Sequence, residues 1–273
     1  MQPSQVDPFD PVTLVRAGFL AHVEHLGETA STMDVARQLA ADADVRLPLL
    51  VIADRQVSGR GRRGAGWWQS PGSLAVSLVV KACALGARGT PPATWSLACG
   101  VAVAEALREC EPAVEAVVRW PNDVEVPGHK KLAGILVETV AEANVIFGVG
   151  VNTTGTANDA PQAIRHRVAT IPDVAGDSLA RQALLAAFIP RLFTLLAEME
   201  HDPSVLPARY RPLCCLTGTT VTIHVGDTRH TGLCRGIADD GQLMLDTPDG
   251  PMQFASGSLT PPADVWPGGV EVA

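Results

Sequence analysis

The sequence predicts an α+β fold in two unequal parts, and three observations predict it. Short apolar or β-rich runs at 49–53, 73–80, 117–126 (two runs flanking Pro121-Asn122-Asp123) and 145–151 alternate with helix-patterned stretches at 33–40, 93–109 and 178–200. From about Leu213 the pattern changes to period-two alternation, broken by Gly226-Asp227, Asp239-Asp240-Gly241 and Pro248-Asp249-Gly250. The chain has 273 residues, enough for one large domain and a small one. The expected division is a flexible segment 1–21, a main domain 22–212 and a small all-β domain 213–273, a five-stranded barrel. No internal repeat is present.

Composition narrows the classes. At 47% hydrophobic and 18% charged it is globular, and at 4% aromatic its core has to be aliphatic. Against 21 bases stand 29 acids, a net charge of −8, which argues against a general nucleic-acid surface yet allows a local positive pocket. The longest apolar runs fall short of a bilayer span. Met1 to Pro11 is polar, acidic and Pro-rich, unlike a signal peptide. Six cysteines make no C-x-x-C pair, so zinc is disfavoured and reduced thiols in a cytoplasmic protein are expected. The seven histidines show no metal-binding spacing.

In chain order, Ser31 followed by Asp34 reads as an N-cap with a variant capping box ahead of the helix at 33–40. Free amides and hydroxyls at such a helix start can also hold a polar ligand group. Pro91-Pro92 precede the helix at 93–109, whose imperfect stripe predicts wide burial. Pro121-Asn122-Asp123 has to leave strand geometry between two β-rich runs. Lys131 enters a further strand, and Gly134 permits close approach of a ligand or another backbone. Residues 153–177 show no regular pattern, and Pro190 is expected to kink or split the helix at 178–200.

The stretch richest in chemistry is Gly59-Arg60-Gly61-Arg62-Arg63-Gly64-Ala65-Gly66-Trp67-Trp68. Its glycines open the backbone, and its arginines present forks suited to carboxylates and phosphates. A dinucleotide fingerprint fits the glycine spacing, but Gly66, Pro71 and Gly72 leave no room for the required helix. No Lys-Ser/Thr follows for a P-loop, and the kinase motifs are absent. The bland alternative is a basic surface turn.

Together with that loop, Arg119-Trp120-Pro121-Asn122-Asp123, Lys131-Leu132-Ala133-Gly134-Ile135-Leu136-Val137-Glu138 and Gly148-Val149-Gly150-Val151-Asn152 resemble the bacterial biotin protein ligases in content and order. The resemblance covers roughly residues 22–262. It implies a class II synthetase-like ligase domain with a mainly antiparallel mixed sheet, followed by a small SH3-like β-barrel. It further implies that biotin and ATP, with Mg²⁺, give biotinyl-5′-AMP and pyrophosphate. Biotin then passes to a lysine of the biotin carboxyl carrier protein of acetyl-CoA carboxylase or a related enzyme.

By the same resemblance Ser31, Thr32 and Gln56 meet the ureido ring, helped by backbone at Gly134. Gly59, Arg60 and Arg62 close over the biotin tail and phosphate. Lys131 lies between carboxylate and α-phosphate, and with Arg62 is the catalytic expectation. Arg63, Trp67, Arg119, Asn122 and Asp123 belong to the nucleotide side, Asp123 being the best metal candidate, and Asn152 is expected to face adenine. Trp120 is read as core. The chain departs from the pattern at Ala65, where many members carry arginine, and in lacking a tryptophan at 153–177 for the adenine wall.

Some members also repress transcription through an N-terminal winged helix–turn–helix. Only 30 residues precede Ser31, too few for one, so no sequence-specific DNA binding is expected, and no membrane. A lipoate or octanoate ligase is the enzyme alternative, but an acyl chain would leave Ser31 and Gln56 without polar partners. A non-catalytic biotin-binding module is disfavoured by Arg62, Asp123 and Lys131 occurring together. Oligomeric state, homodimer included, stays open.

Overall fold

A computed structural model of the protein describes residues 7–42, 44–85, 94–128, 130–140 and 144–260. Pro91-Pro92 and residues 261–273 of the expected β domain lie outside these. In chain order the first elements are α1 (Pro11–Arg16), β1 (His22–Thr29), α2 (Thr32–Ala40), β2 (Leu49–Gln56), β3 (Gly59–Arg60), β4 (Gly66–Trp67) and β5 (Leu74–Lys81). Next come α3 (Thr94–Cys110), β6 (Val117–Arg119), β7 (Asp123–Val126), β8 (Lys130–Val140) and β9 (Asn144–Val151). The chain continues with α4 (Ile171–Ala175), α5 (Arg181–His201) and α6 (Val205–Tyr210). It ends in β10 (Thr220–Val225), β11 (Thr228–Ile237), β12 (Leu243–Thr247), β13 (Gly250–Phe254) and β14 (Ser258–Leu259).

Seven strands form one sheet in the order β1-β2-β5-β9-β8-β7-β6, antiparallel throughout except for the β1–β2 pair. The mixed, mainly antiparallel sheet of the sequence reading is present. Residue size alternates along the central strands and decides what each face does. Leu50, Ile52, Val76, Leu78, Phe147 and Val149 join the large core with the buried residues of α3 and α5. On the other face Met33, Ala36 and Ala40 of α2 cover Leu49, Val51, Val79 and Ile146. Burial on both faces is why Leu49–Ala53 reads as an unbroken apolar run.

Beyond the start of α2 this second face turns small. The register aligns Val51, Ser77, Gly148 and Leu136 in one row, and Ala75, Gly150, Gly134 and Asp123 in the next. Side chains two apart share a face, so this row of small residues leaves a trough across the sheet.

Five strands make a second, antiparallel sheet in the order β13-β12-β11-β10-β14. Among the described residues the strands pair in one run with β13 and β14 at its edges, and no β13–β14 pairing closes it. It joins the main core through Ile223, Cys234, Ile237, Leu243, Leu245 and Phe254. Trp120 is 2% exposed and its indole N–H donates to the Gly241 carbonyl at 3.1 Å, the core role expected of it.

Two features differ from expectation, and one strand was not foreseen. Residues 7–21 are tied down: Asp10 caps α1, accepting from the Val12 amide at 2.9 Å, and Asp7 accepts from the Arg181 Nε at 2.6 Å. Strand β1 has no strong alternation to mark it in the sequence; parallel pairing to β2 sets it. Helix α5 continues through Pro190 as one element, because Leu185, Phe188, Ile189, Leu192, Leu195 and Leu196 are buried around it. That burial outweighs the roughly 3 kcal/mol cost of an interior proline. Helix α5 is also the one described helix with the length and apolarity to cross a bilayer, yet it lies against α3 in the core. All six cysteines are unpaired, and burial pushes the Cys215 thiol up to about 12.

Candidate active site

The trough is roofed by the arginine loop and encloses a cavity of about 360 Å³, within the range of small-molecule sites. Strands β3 and β4 pair across the loop, Gly59 with Trp67 and Arg60 with Gly66, where a dinucleotide fingerprint would have required a helix. Gly59 is required here because a Cβ would stand 2.5 Å from Gln56 Nε2 and 2.8 Å from the Trp67 carbonyl. It shapes the loop without lining the cavity. Trp67 reaches down onto the trough: a Cβ at Gly150 would lie 2.5 Å from its Nε1, and one at Gly134 3.0 Å from its ring. Its buried Nε1 has no hydrogen-bond partner among the described residues.

One end of the cavity is polar and neutral. The Thr32 amide donates to Gln56 Oε1 at 2.9 Å and the Thr32 hydroxyl at 3.2 Å, while the Ser77 hydroxyl donates to Thr32 Oγ1 at 2.9 Å. This network fixes the Gln56 carboxamide through its oxygen and leaves Nε2 to donate to a ligand. Ser31 sits at the N-cap of α2 but makes no side-chain cap, which corrects the capping-box expectation. Its hydroxyl is buried, lines the cavity and has no partner among the described residues. A buried unpaired hydroxyl costs about 1–3 kcal/mol and points to a polar group that would meet it.

The rest of the cavity is cationic. Arg60, Arg62, Arg63, Arg119, Lys131 and Arg167 line it, against the acids Asp123 and Glu125, so a chain of net charge −8 gathers a positive pocket. Lys131 Nζ stands 2.7 Å from Asp123 Oδ1 and 5.4 Å from the centre of the Trp67 ring. At this distance the two form a close ion pair at the floor of the cavity. Burial lowers the Arg62 pKa, helped by neighbouring Arg63 and opposed by Asp123. Its Nη1 donates weakly to Asn122 Oδ1 at 3.4 Å, and Asn122 Nδ2 donates to the Ile135 carbonyl at 2.8 Å. Arg119, 8% exposed, lies 3.7 Å from Glu125 and donates to the Thr260 carbonyl at 3.1 Å. Arg63, at φ 55°, donates to Ser258 Oγ at 2.5 Å.

The structure thus gathers Ser31, Thr32, Gln56, Arg60, Arg62, Arg63, Trp67, Arg119, Asn122, Asp123, Lys131 and Gly134 around one cavity. Asn152 is placed otherwise. It is 1% exposed and does not line the cavity; its Nδ2 donates to the Ala169 carbonyl at 3.0 Å, and its buried Oδ1 has no partner among the described residues. The 153–170 loop carries a residue the sequence reading missed. Val168 pairs with Lys131, which brings Arg167 to the cavity wall. Gly257, Ser258 and Leu259 reach the wall from the second sheet and were equally invisible.

Known proteins are similar to this chain. Residues 28–152 match the family model described as the biotin/lipoate A/B protein ligase family. A biotin--[acetyl-CoA-carboxylase] ligase of Mycobacterium tuberculosis is 30% identical over 81% of this chain and 82% of the relative. The chain belongs to the biotin protein ligase family. Another family member, the bifunctional ligase/repressor BirA of Bacillus subtilis, is 28% identical over 87% of this chain and 73% of its own length. Among solved structures, the biotin protein ligase of Aquifex aeolicus in complex with biotin and ATP aligns with TM-score 0.76. It is 24% identical and covers 88% of this chain and 98% of that one, a likeness of fold.

Proposed function

We propose that this protein activates biotin with ATP to biotinyl-5′-AMP and passes the biotinyl group to a lysine of a biotin carboxyl carrier protein. The observation that carries this is the unpaired Ser31 hydroxyl at one end of a cavity whose other walls gather six cations. Biotin has that polarity, a urea at one end and a carboxylate at the other. From β2, which carries Gln56, to β8, which carries Lys131, is three strand spacings, about 14 Å. The ring lies by Ser31 and Gln56 Nε2, and the acyl arm runs past the Trp67 ring towards Lys131.

The carboxylate oxygen attacks the α-phosphorus, the bond to the β-phosphate oxygen breaks, and pyrophosphate leaves with the electron pair. Lys131 and Arg62 stabilise charge on the two anions as it shifts towards the leaving group. The carrier's lysine amine then attacks the acyl carbon and AMP departs. Arg63, Arg119 and Arg167 serve the nucleotide side. No cluster of three metal-ligating side chains exists among the described residues, so a metal would come with the triphosphate. Asp123, a cavity carboxylate ion-paired with Lys131, is the residue that would meet Mg²⁺, which when bound screens the phosphate charge. The second sheet serves as an SH3-like module closing the nucleotide end. Six free thiols favour a cytoplasmic setting.

Biotin-dependent ATP–pyrophosphate exchange tests this. The rate is expected to be nearly absent with lipoate or octanoate, because an apolar chain leaves Ser31 unpaired. Comparable exchange with lipoate overturns the biotin reading. Lys131→Ala is expected to slow adenylate formation about ten- to a hundredfold. Arg62→Gly, on the loop, is expected to hasten adenylate release more than it slows formation.

A further inference from the structure

Asp34 was expected to reach back and cap its own helix. Its carboxylate does something else: Oδ2 accepts from Arg60 Nη2 at 2.9 Å, and Oδ1 accepts from Arg37 Nη1 at 2.7 Å. Arg37 in turn donates from Nη2 to Glu138 of β8 at 2.6 Å. This chain of alternating charges starts on the sheet, passes through the first turns of α2, and ends on the arginine loop. Asp34 is therefore held in place from behind, and Arg60 is the partner carried by the glycine-rich loop.

We propose that Asp34 is a positioning residue that latches the arginine loop over the cavity, with Arg60 as the loop's half of the latch. Arg60 then acts on the loop's closure, and Arg62, which faces Asn122 and Asp123, is the residue that meets the anions. The strength of the pair fits that task. Its side chains are 53% and 28% exposed, so solvent screens the attraction. Such a pair shifts a closing equilibrium by a few fold without locking it, as suits a lid that has to open each turnover. Two further features keep the closed loop in register. The Gly61 amide donates to the Ala65 carbonyl at 2.7 Å, and Gly59 admits Gln56 and Trp67 at close range.

The latch rests on the ligase reading for its purpose, and its test is separable from that reading. Chymotryptic cleavage after Trp67 or Trp68 in the ligand-free protein reports loop opening without any substrate. Asp34→Asn and Arg60→Gln are each expected to speed cleavage about two- to fivefold, and the double variant no further, because the second change removes a partner already lost. Arg37→Gln is expected to give a smaller increase. The same set is then read by release of labelled biotinyl adenylate in a chase with unlabelled biotin, where the same non-additivity is expected. Additive effects of the two substitutions, or unchanged cleavage in Asp34→Asn, overturn the latch. Failure of biotin-dependent exchange overturns the ligase reading and leaves the cleavage result standing.

Discussion

At the scale of single residues the site depends on what is missing as much as on what is present. Gly150 and Gly134 have no side chains, and the Trp67 ring occupies that room. Gly150→Ala sets a methyl group 2.5 Å from Trp67 Nε1, so the ring has to leave the trough. Overpacking of this kind costs about 1–3 kcal/mol, and it falls on loop closure because the sheet is the stiffer partner. The expected result is a KM for biotin raised roughly tenfold, with a melting temperature close to that of the wild type. Titration of biotin in the exchange assay, with a thermal melt alongside, decides it; an unchanged KM would show that Trp67 does not shape the bound state. These glycines were legible in the sequence as part of a motif. Their alternation with Val149 and Ile135 marks one face of a strand, and that reading was available too. The unpaired state of Ser31 was not, since nothing local says that a residue at an N-cap will decline to cap.

At the scale of elements the N-terminal segment shows how a tie is made. Arg181 opens α5, is fully buried, and donates to Asp7 at 2.6 Å and to Asp54 at 2.8 Å. His25 of β1 lies 2.9 Å from the same Asp54 oxygen. Burial pushes the Asp54 carboxyl up, but its contacts with His25 and Arg181 outweigh that and hold it below its ordinary 3.8. A carboxyl held low contributes stability that is complete above its unfolded value and drains away as pH falls through the folded one. The window is therefore below about pH 4. Thermal melts across that range are expected to fall more steeply for the wild type than for Asp54→Asn, which has no proton to take up there. Parallel curves for the two proteins would remove Asp54 from the acid transition. The carboxylate and guanidinium were plain in the sequence, but their meeting joins residues 127 positions apart.

At the scale of the whole molecule the second sheet completes the first. Arg119 donates to the Thr260 carbonyl, Arg63 to Ser258 Oγ, and Trp120 to the Gly241 carbonyl. Gly241 itself sits where a Cβ would lie 2.9 Å from Thr94 of α3. Ending the chain after Leu213 therefore strips a shared core and leaves Trp120 exposed with its N–H unpaired. Such a truncation is expected to lower the melting temperature by roughly 10 °C or more, on the order of several kcal/mol. It is also expected to weaken ATP more than biotin, because Gly257, Ser258 and Leu259 line the cationic part of the cavity. Equilibrium binding of each substrate to the truncated protein checks the asymmetry; equal loss for both would make the second sheet a support only.

The sequence by itself determined the residue types and their order. It supplied the arginines on a glycine-opened loop, a lysine at a strand start, the glycines at 134, 148 and 150, and the change of pattern near Leu213. Those features are local, because helix, strand and turn preferences act over a few neighbouring residues. Only the tertiary structure decided that Asn152 ties to Ala169, that Asp34 faces Arg60, that Val168 brings Arg167 beside Lys131, and that Ser258 meets Arg63. Each of these joins chain segments that the backbone alone leaves independent, 195 residues apart in the last case. Their meeting is fixed by strand register and core packing, which no local pattern encodes.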